Sequence, residues 1–224
     1  MKRPDFRLYL ITDRKLAARH GGLPAVVEAA LSAASTTAGP GAVAVQLREK
    51  DLDARDLYEL ARALRERCSR WGAALLVNDR LDIAIAAGAD GAHLPANSFA
   101  VADARRLMGP SALIGVSTHQ VGEVAEAQAA GADFAVFGPV YDPLSKPVYG
   151  PAGGVEKLGA ACRAVPGLPL YALGGISAER VRELGRSLRR NDRPAGVAVI
   201  GAVFGANDPA VATHRLLQAL ETWL

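Results

Sequence analysis

The chain has 224 residues, of which 50% are hydrophobic, 22% charged and 5% aromatic, with 26 Lys and Arg against 23 Asp and Glu for a net charge of +3. At ~150 residues per domain this length suits one α/β domain that buries its own core without disulfide or metal staples. The composition excludes disordered, collagen-like and disulfide-scaffold classes, and no run approaches the ~18 apolar residues of a membrane span.

The opening MKRPDFRLYLITDRK carries a short apolar run that soon meets Asp13, Arg14 and Lys15. Neither a signal peptide nor an anchor is expected there, and a cytoplasmic location is the default. The first strand is expected in FRLYLIT from Phe6 and the second in GAVAVQLR from Gly41. A helix then runs over Asp53–Trp71, with Leu57, Leu60, Leu64 and Cys68 on one face and Asp53 as its N-cap. Strands follow in AALLV from Ala73, GAHL from Gly91 and ALIGVS from Ala112. A helix over Val121–Ala130 leads to a strand in FAVFG from Phe134, and a helix over Val155–Val165 to LPLYAL from Leu168. Ser177 caps a helix that buries Val181 and Leu184, ahead of the strand GVAVIG from Gly196 and a closing helix from Pro209 to Leu224. Most of these strands are continuously apolar, as parallel strands covered on both faces are. The triplet GAD, at Gly88 and again at Gly131, closes a helix and enters a strand each time, with Gly as a left-handed C-cap.

Eight βα units in this length point to a single (β/α)8 TIM barrel over residues 1–224, near the small end of its size range. An open doubly wound sheet is the alternative, but no GxGxxG turn follows the first strand. The densest basic patch, Arg180, Arg182, Arg186, Arg189, Arg190 and Arg193, has no interleaved aromatics. It reads as a solvated helix face and its exit loop, with an anionic partner as the alternative, and no nucleic acid is expected. Cys68 and Cys162 lack a CxxC or His companion and read as buried, reduced thiols.

In such a barrel, chemistry gathers at the C-terminal ends of the strands. There the sequence places Thr12 and Asp13, then Gln46, Arg48, Glu49 and Lys50, then Asn78, Asp79 and Arg80. His93 ends the fourth strand, and Ser117, Thr118 and His119 follow the fifth. A long Pro/Gly loop after the sixth carries Ser145 and Lys146, and Gly174-Gly175 and Gly201 follow the last two. Arg48, Lys50 and Lys146 are suited to neutralising a phosphate or pyrophosphate. GGIS and IGAVF, each ahead of a helix, offer backbone N–H groups to a phosphate, although Gly174-Gly175 also reads as a plain tight turn. Asp79 beside Asn78 is a hard oxygen ligand for Mg2+, or alternatively the N-cap of a helix over Arg80–Ala87. His20 reads as a surface residue. His93 and His119 lack a Cys or second His at ligand spacing, which leaves acid–base work open and metal ligation unexpected.

The ordered set YLITD, QLREK, VNDR, DGAHL, GVSTH, FGPVY…SK, LGGI and VAVIGAVF, from about Leu8 to Ala206, resembles thiamine phosphate synthase and its thiazole tautomerase relatives. That resemblance implies a (β/α)8 barrel that joins a hydroxymethylpyrimidine pyrophosphate to a thiazole phosphate and releases pyrophosphate, with Mg2+ as cofactor. By the same resemblance Arg48 and Lys50 contact pyrophosphate, with Gln46 beside them. Asn78 contacts pyrophosphate or substrate, and Asp79 ligates Mg2+. Ser117 lies near the pyrimidine, and Lys146, with Ser145 next to it, reaches the pyrophosphate. Gly174, Gly175, Ile200 and Gly201 cradle the thiazole phosphate. The partners expected are these small phosphorylated substrates, with no membrane, and with a homodimer as an open alternative to a monomer.

Two positions depart from the family pattern. Where synthases read DGxHLGQxD, with the aspartate as second Mg2+ ligand, this chain reads DGAHLPANS and places Ser98 there. Where they read TPTK, it reads PLSK, so Pro143 removes one hydroxyl while Ser145 keeps the other. Both changes lie around the pyrophosphate. Two further readings therefore stay open. One is a thiazole tautomerase, in which His119 would act as acid–base because Pro139 stands where the catalytic histidine is expected. The other is a non-catalytic relative that binds thiazole phosphate or thiamine phosphate.

Overall fold

The computed structural model describes residues 4–142 and 154–223. Eight short strands follow one another: β1 (Leu8–Ile11), β2 (Val43–Leu47), β3 (Ala74–Asn78), β4 (Gly91–Leu94), β5 (Leu113–Thr118), β6 (Phe134–Phe137), β7 (Leu170–Leu173) and β8 (Gly196–Val199). Each pairs in parallel with the next, and β8 returns to β1 through Leu8↔Val197 and Leu10↔Val199, closing a barrel. Closure excludes the open doubly wound alternative and leaves no free strand edge.

The helices are α1 (Arg14–Ala17), α2 (Leu23–Ala38), α3 (Ala54–Arg70), α4 (Leu81–Ala86), α5 (Val101–Met108), α6 (Val121–Ala129), α7 (Gly154–Ala164), α8 (Ala178–Ser187), α9 (Gly201–Phe204) and α10 (Pro209–Glu221). The caps read from the sequence are present. Asp53 accepts from the Asp56 N–H at 2.9 Å, and Ser177 from the Arg180 N–H at 3.3 Å. Gly88 and Gly131 have φ of +64° and +86°, the left-handed conformation expected of the two GAD turns. The helix α2 goes beyond the expected set. Its Leu23, Val26, Val27, Ala30, Leu31 and Ala34 are buried at helical spacing, but small Ala, Ser and Thr residues on its other faces blur the amphipathic pattern.

Successive strand residues face opposite sides, so the barrel has two cores. Leu8, Leu10, Val43, Val45, Leu75, Val77, Val197 and Val199 pack under the helices. Tyr9, Ile11, Ala44, Leu76, Phe134, Val136, Tyr171 and Ala198 fill the interior together with Phe6. Phe6 and Tyr171 stack with ring centroids 4.7 Å apart, and Phe134 stands edge-on to Tyr9 at 5.4 Å. Gly115 makes room for this cluster, because a Cβ there would clash with the tip of the Phe134 ring. Cys68 and Cys162 are free and buried, as expected, and burial pushes each thiol up to about 12.

Candidate active site

The inward faces of the strands turn from aromatic to polar toward their C-terminal ends. Gln46 lies two residues after the interior Ala44, Asn78 two after Leu76, and Ser117 two after Gly115, so the pleat that packs the core aims these side chains into the barrel mouth. Gln46 Nε2 donates to Asn78 Oδ1 at 3.2 Å, while the buried Gln46 Oε1 has no hydrogen-bond partner among the described residues. Such an orphaned acceptor costs roughly 1–3 kcal/mol unless a substrate N–H reaches it. His93, 2% exposed, lies 2.9 Å through Nε2 from Ser117 Oγ and 3.4 Å through Nδ1 from the Tyr9 hydroxyl. Burial first, and the positive charge of Arg48 second, push its imidazole down to about 3, so it is neutral at working pH.

Arg48 and Lys50 follow β2. Among the described residues neither forms an ion pair. Their neighbours behave differently. Arg14 pairs with Asp51 at 2.6 Å and Lys15 with Asp51 at 3.0 Å, which holds the Asp51 carboxyl well below the usual range. Glu49, between the two unpaired cations in sequence, is turned inward. It accepts from the Thr12 hydroxyl at 2.7 Å and from the Arg14 N–H at 3.0 Å, and Thr12 Oγ1 in turn accepts the Arg48 N–H at 2.9 Å. These residues, with Asp13 and Ile200, line a cavity of about 310 Å³. The buried Glu49 therefore joins the β1 and β2 loops and holds the backbone of Arg48 in place.

Asp79 is not a helix N-cap. That position belongs to Arg80, and no side chain caps α4. Asp79 instead has φ of +65°, a left-handed conformation uncommon outside glycine, with its N–H bonded to the His93 carbonyl at 2.9 Å. Its carboxylate accepts the Ser98 hydroxyl at 2.5 Å. The position that departs from the family pattern is thus in direct contact with the proposed Mg2+ ligand. Among the described residues no three His, Cys, Asp or Glu side chains converge as a metal cluster.

Across the mouth, Gly174 and Gly175 have φ of +103° and +59°. A Cβ on Gly174 would approach Pro139 Cα to 2.7 Å, and one on Gly175 would meet the Arg180 guanidinium. More than a tight turn is required here, since the neighbouring chain approaches too closely for any side chain. Ile200 precedes α9, whose first N–H groups, beginning at Gly201, have no intrahelical acceptor. Ser145 and Lys146 lie outside the described residues. Of the residues that flank them, Gly154 donates its N–H to the Val140 carbonyl at 3.1 Å, and Tyr141 donates to the Gly174 carbonyl at 3.2 Å.

Of the basic patch, Arg180 lies over the Tyr141 ring at 4.6 Å, and Arg193 donates to the Trp223 carbonyl at 3.1 Å. Both therefore tie segments of the fold together. His119 donates through Nδ1 to the Gly138 carbonyl at 2.5 Å, and His20 lies on the Ala206 carbonyl at 2.9 Å. Sequence reasoning missed Tyr9 and the linking role of Glu49. The alternation within YLITD could have placed Tyr9 inside the barrel, whereas nothing local marks Glu49 as inward.

A family model described as thiamine monophosphate synthase matches residues 8–203. A Geobacter sulfurreducens protein named "Putative thiamine-phosphate synthase" is 48% identical, covering 98% of this chain and 97% of its own. A Salinispora tropica thiamine-phosphate synthase is 44% identical, covering 97% of this chain and 98% of its own. Among solved structures, a thiamine phosphate pyrophosphorylase from Pyrococcus furiosus superposes with a TM-score of 0.83 at 32% identity, over 99% of this chain and 98% of that one.

Proposed function

The chain belongs to the thiamine monophosphate synthase family, whose members are transferases of the diphosphorylase type, and on that premise we propose how its own residues serve the reaction. The substrates are a hydroxymethylpyrimidine pyrophosphate and a thiazole phosphate. The bond between the pyrimidine methylene and the pyrophosphate oxygen breaks with its electron pair on the oxygen. The thiazole nitrogen then supplies the pair for the new C–N bond, and pyrophosphate leaves. No protein nucleophile is required; the barrier is the negative charge gathering on the leaving group.

Arg48 and Lys50 meet that charge, with Lys146 assigned as a third cation. The unpaired state of Arg48 and Lys50 is the observation that carries this reading. Among the described residues these two cations have no acidic partner, while Arg14 and Lys15 beside them are neutralised, and together they form a site waiting for an anion. Gln46 and Asn78 hold the pyrimidine end, with Gln46 Oε1 open to a substrate N–H. Gly174, Gly175 and the start of α9 at Gly201 take the thiazole phosphate.

Mg2+ fits the donor chemistry as a shared ion. Asp79 offers one carboxylate, Ser98 a hydroxyl and Asn78 an amide oxygen, and Mg2+ is commonly held by one or two carboxylates together with substrate phosphates. When bound, it neutralises the departing pyrophosphate. Among the described residues no helix is long and apolar enough to cross a membrane, and we place the reaction in the cytoplasm, with phosphorylated small molecules as partners. The test is Lys146→Ala: thiamine phosphate formation falls by at least about a hundredfold while calorimetric binding of thiazole phosphate persists. Unchanged turnover would contradict the role given to the cations.

A further inference from the structure

The turn after β7 is held from its carbonyl side. The Gly174 carbonyl accepts the Tyr141 N–H at 3.2 Å, and the Gly175 carbonyl accepts Arg180 Nη1 at 2.5 Å. The same guanidinium lies over the Tyr141 ring at 4.6 Å and comes to 3.5 Å from the Asp142 carbonyl. One side chain of α8 thus fastens the turn to the segment that follows β6. We propose that Arg180, steadied by the Tyr141 ring, is a positioning residue that fixes the Gly175 peptide and so presents the N–H groups of Gly175 and Ile176 to the phosphate of the thiazole substrate. The substrate rests on the family reading above; the fastening of the turn does not.

Helix polarity does not account for Arg180. A helix start favours acids and its end favours bases, as Glu179 in the first turn of α8 and Arg186 in the last both illustrate. Arg180 is a cation beside Glu179 at that start, and among the described residues it forms no ion pair. Its partners are carbonyls and an aromatic face, which suit a planar cation with several donors. A trans peptide is planar, and its C=O and N–H point opposite ways. Holding the Gly174 and Gly175 carbonyls therefore turns the Gly175 and Ile176 N–H groups away from Tyr141 and Arg180. Neither N–H has an acceptor among the described residues. Ile176 is buried, and a buried N–H without a partner is disfavoured until a ligand meets it. A side chain at position 175 would break the arrangement, since its Cβ would meet the guanidinium, the Asp142 carbonyl at 2.8 Å and Tyr141 Cβ at 3.0 Å.

The consequence concerns binding. The phosphate of the thiazole substrate neither gains nor loses a bond in the reaction, so the turn grips it equally before and at the transition state. Losing such uniform binding raises KM and leaves kcat unchanged.

Amide hydrogen exchange in the intact wild-type protein and in Arg180→Ala reads the fastening without any substrate. Exchange of the Tyr141 N–H is expected to rise by about tenfold or more in the variant, with the amides of β1 to β5 unchanged. Unchanged protection at Tyr141 overturns the proposal whatever the enzyme turns over. In kinetics, Arg180→Ala raises KM for thiazole phosphate by about tenfold and leaves kcat and KM for the pyrimidine pyrophosphate within about twofold. Arg180→Lys, which keeps the charge but not the planar fork, recovers little of that loss. Full recovery by lysine would mean that charge alone attracts the phosphate, and overturns the positioning role. Tyr141→Leu raises the same KM, and Tyr141→Phe, which keeps the ring face, recovers most of the difference. An unchanged KM for thiazole phosphate in Arg180→Ala, or a fall in kcat with KM unchanged, also overturns that role. A wild-type protein with no turnover, whose Tyr141 exchange still rises in Arg180→Ala, counts against the family reading and leaves the fastening standing.

Discussion

The Ser98 hydroxyl donates to the Asp79 carboxylate at 2.5 Å. The chain thus has a neutral hydroxyl in contact with its one candidate Mg2+ carboxylate, at the place where the family pattern has a second acid. Ser98→Asp would set two carboxylates side by side. At ~4 Å a pair of unit charges interacts by roughly 1–4 kcal/mol between water and a partly screened site, and a divalent ion gains more from the added anion than the pair loses. The Mg2+ concentration for half-maximal rate is expected to fall by tenfold or more in Ser98→Asp. A Mg2+ titration of initial rates checks this, and an unchanged midpoint would mean that position 98 is remote from the ion.

Among the described residues Arg48 has no acidic partner to lose, so its removal is expected to act on catalysis and leave stability nearly untouched. Arg48→Ala removes a charge-assisted bond to pyrophosphate, worth about 1.5–3 kcal/mol, and lowers kcat/KM by about tenfold to a hundredfold. Arg48→Lys restores only part of it, because an ammonium lacks the planar fork. Thermal melting of both variants is expected within a degree or two of wild type. A large drop in Tm would show instead that Arg48 supports the fold.

Glu49 connects the two loops that carry the cations, and burial raises its pKa above the usual glutamate range despite its bonds to Thr12 and Arg14. A carboxyl raised in the folded state binds its proton more tightly there than in the unfolded chain. Its contribution to stability is therefore greatest below the unfolded pKa and declines as pH rises through the folded value. The difference in Tm between wild type and Glu49→Gln is expected to shrink from pH 4 to pH 7. A difference that grows with pH would show that the Arg14 pairing outweighs burial.

Gly115 and Phe134 compete for one space inside the barrel, since any Cβ at position 115 clashes with the tip of the ring at Cζ. Gly115→Ala is expected to destabilise by about 1–3 kcal/mol, the usual consequence of overpacking. Adding Phe134→Leu should return part of the loss, which denaturant melts of the single and double variants would measure. Additive losses would place the strain elsewhere.

The sequence made the barrel legible because burial on both faces leaves each strand an apolar run, and because Gly88 and Gly131 mark helix exits by their need for positive φ. Gln46, Asn78 and Ser117 were legible for the same reason, as polar residues ending apolar runs. The line from Tyr9 through His93 to Ser117 was not, since only barrel closure brings β1, β4 and β5 around one interior. Nor was Asp79 as a left-handed residue, because the same Asp before a helix suits an N-cap and only the β4 carbonyl that holds its N–H distinguishes the two. Helix α2 was hidden by the small residues on its other faces, which weaken the contrast with the buried stripe; the helix packs against α10.

On the function proposed above, the cations at the mouth drive departure of pyrophosphate from a pyrimidine methylene. The most direct measurement supplies the wild-type protein with hydroxymethylpyrimidine pyrophosphate and thiazole phosphate across a Mg2+ titration and follows both products. Thiamine phosphate and pyrophosphate released in equal amounts, at a rate that rises with Mg2+, is the predicted result. No product at millimolar Mg2+, with thiazole phosphate still bound, would contradict it.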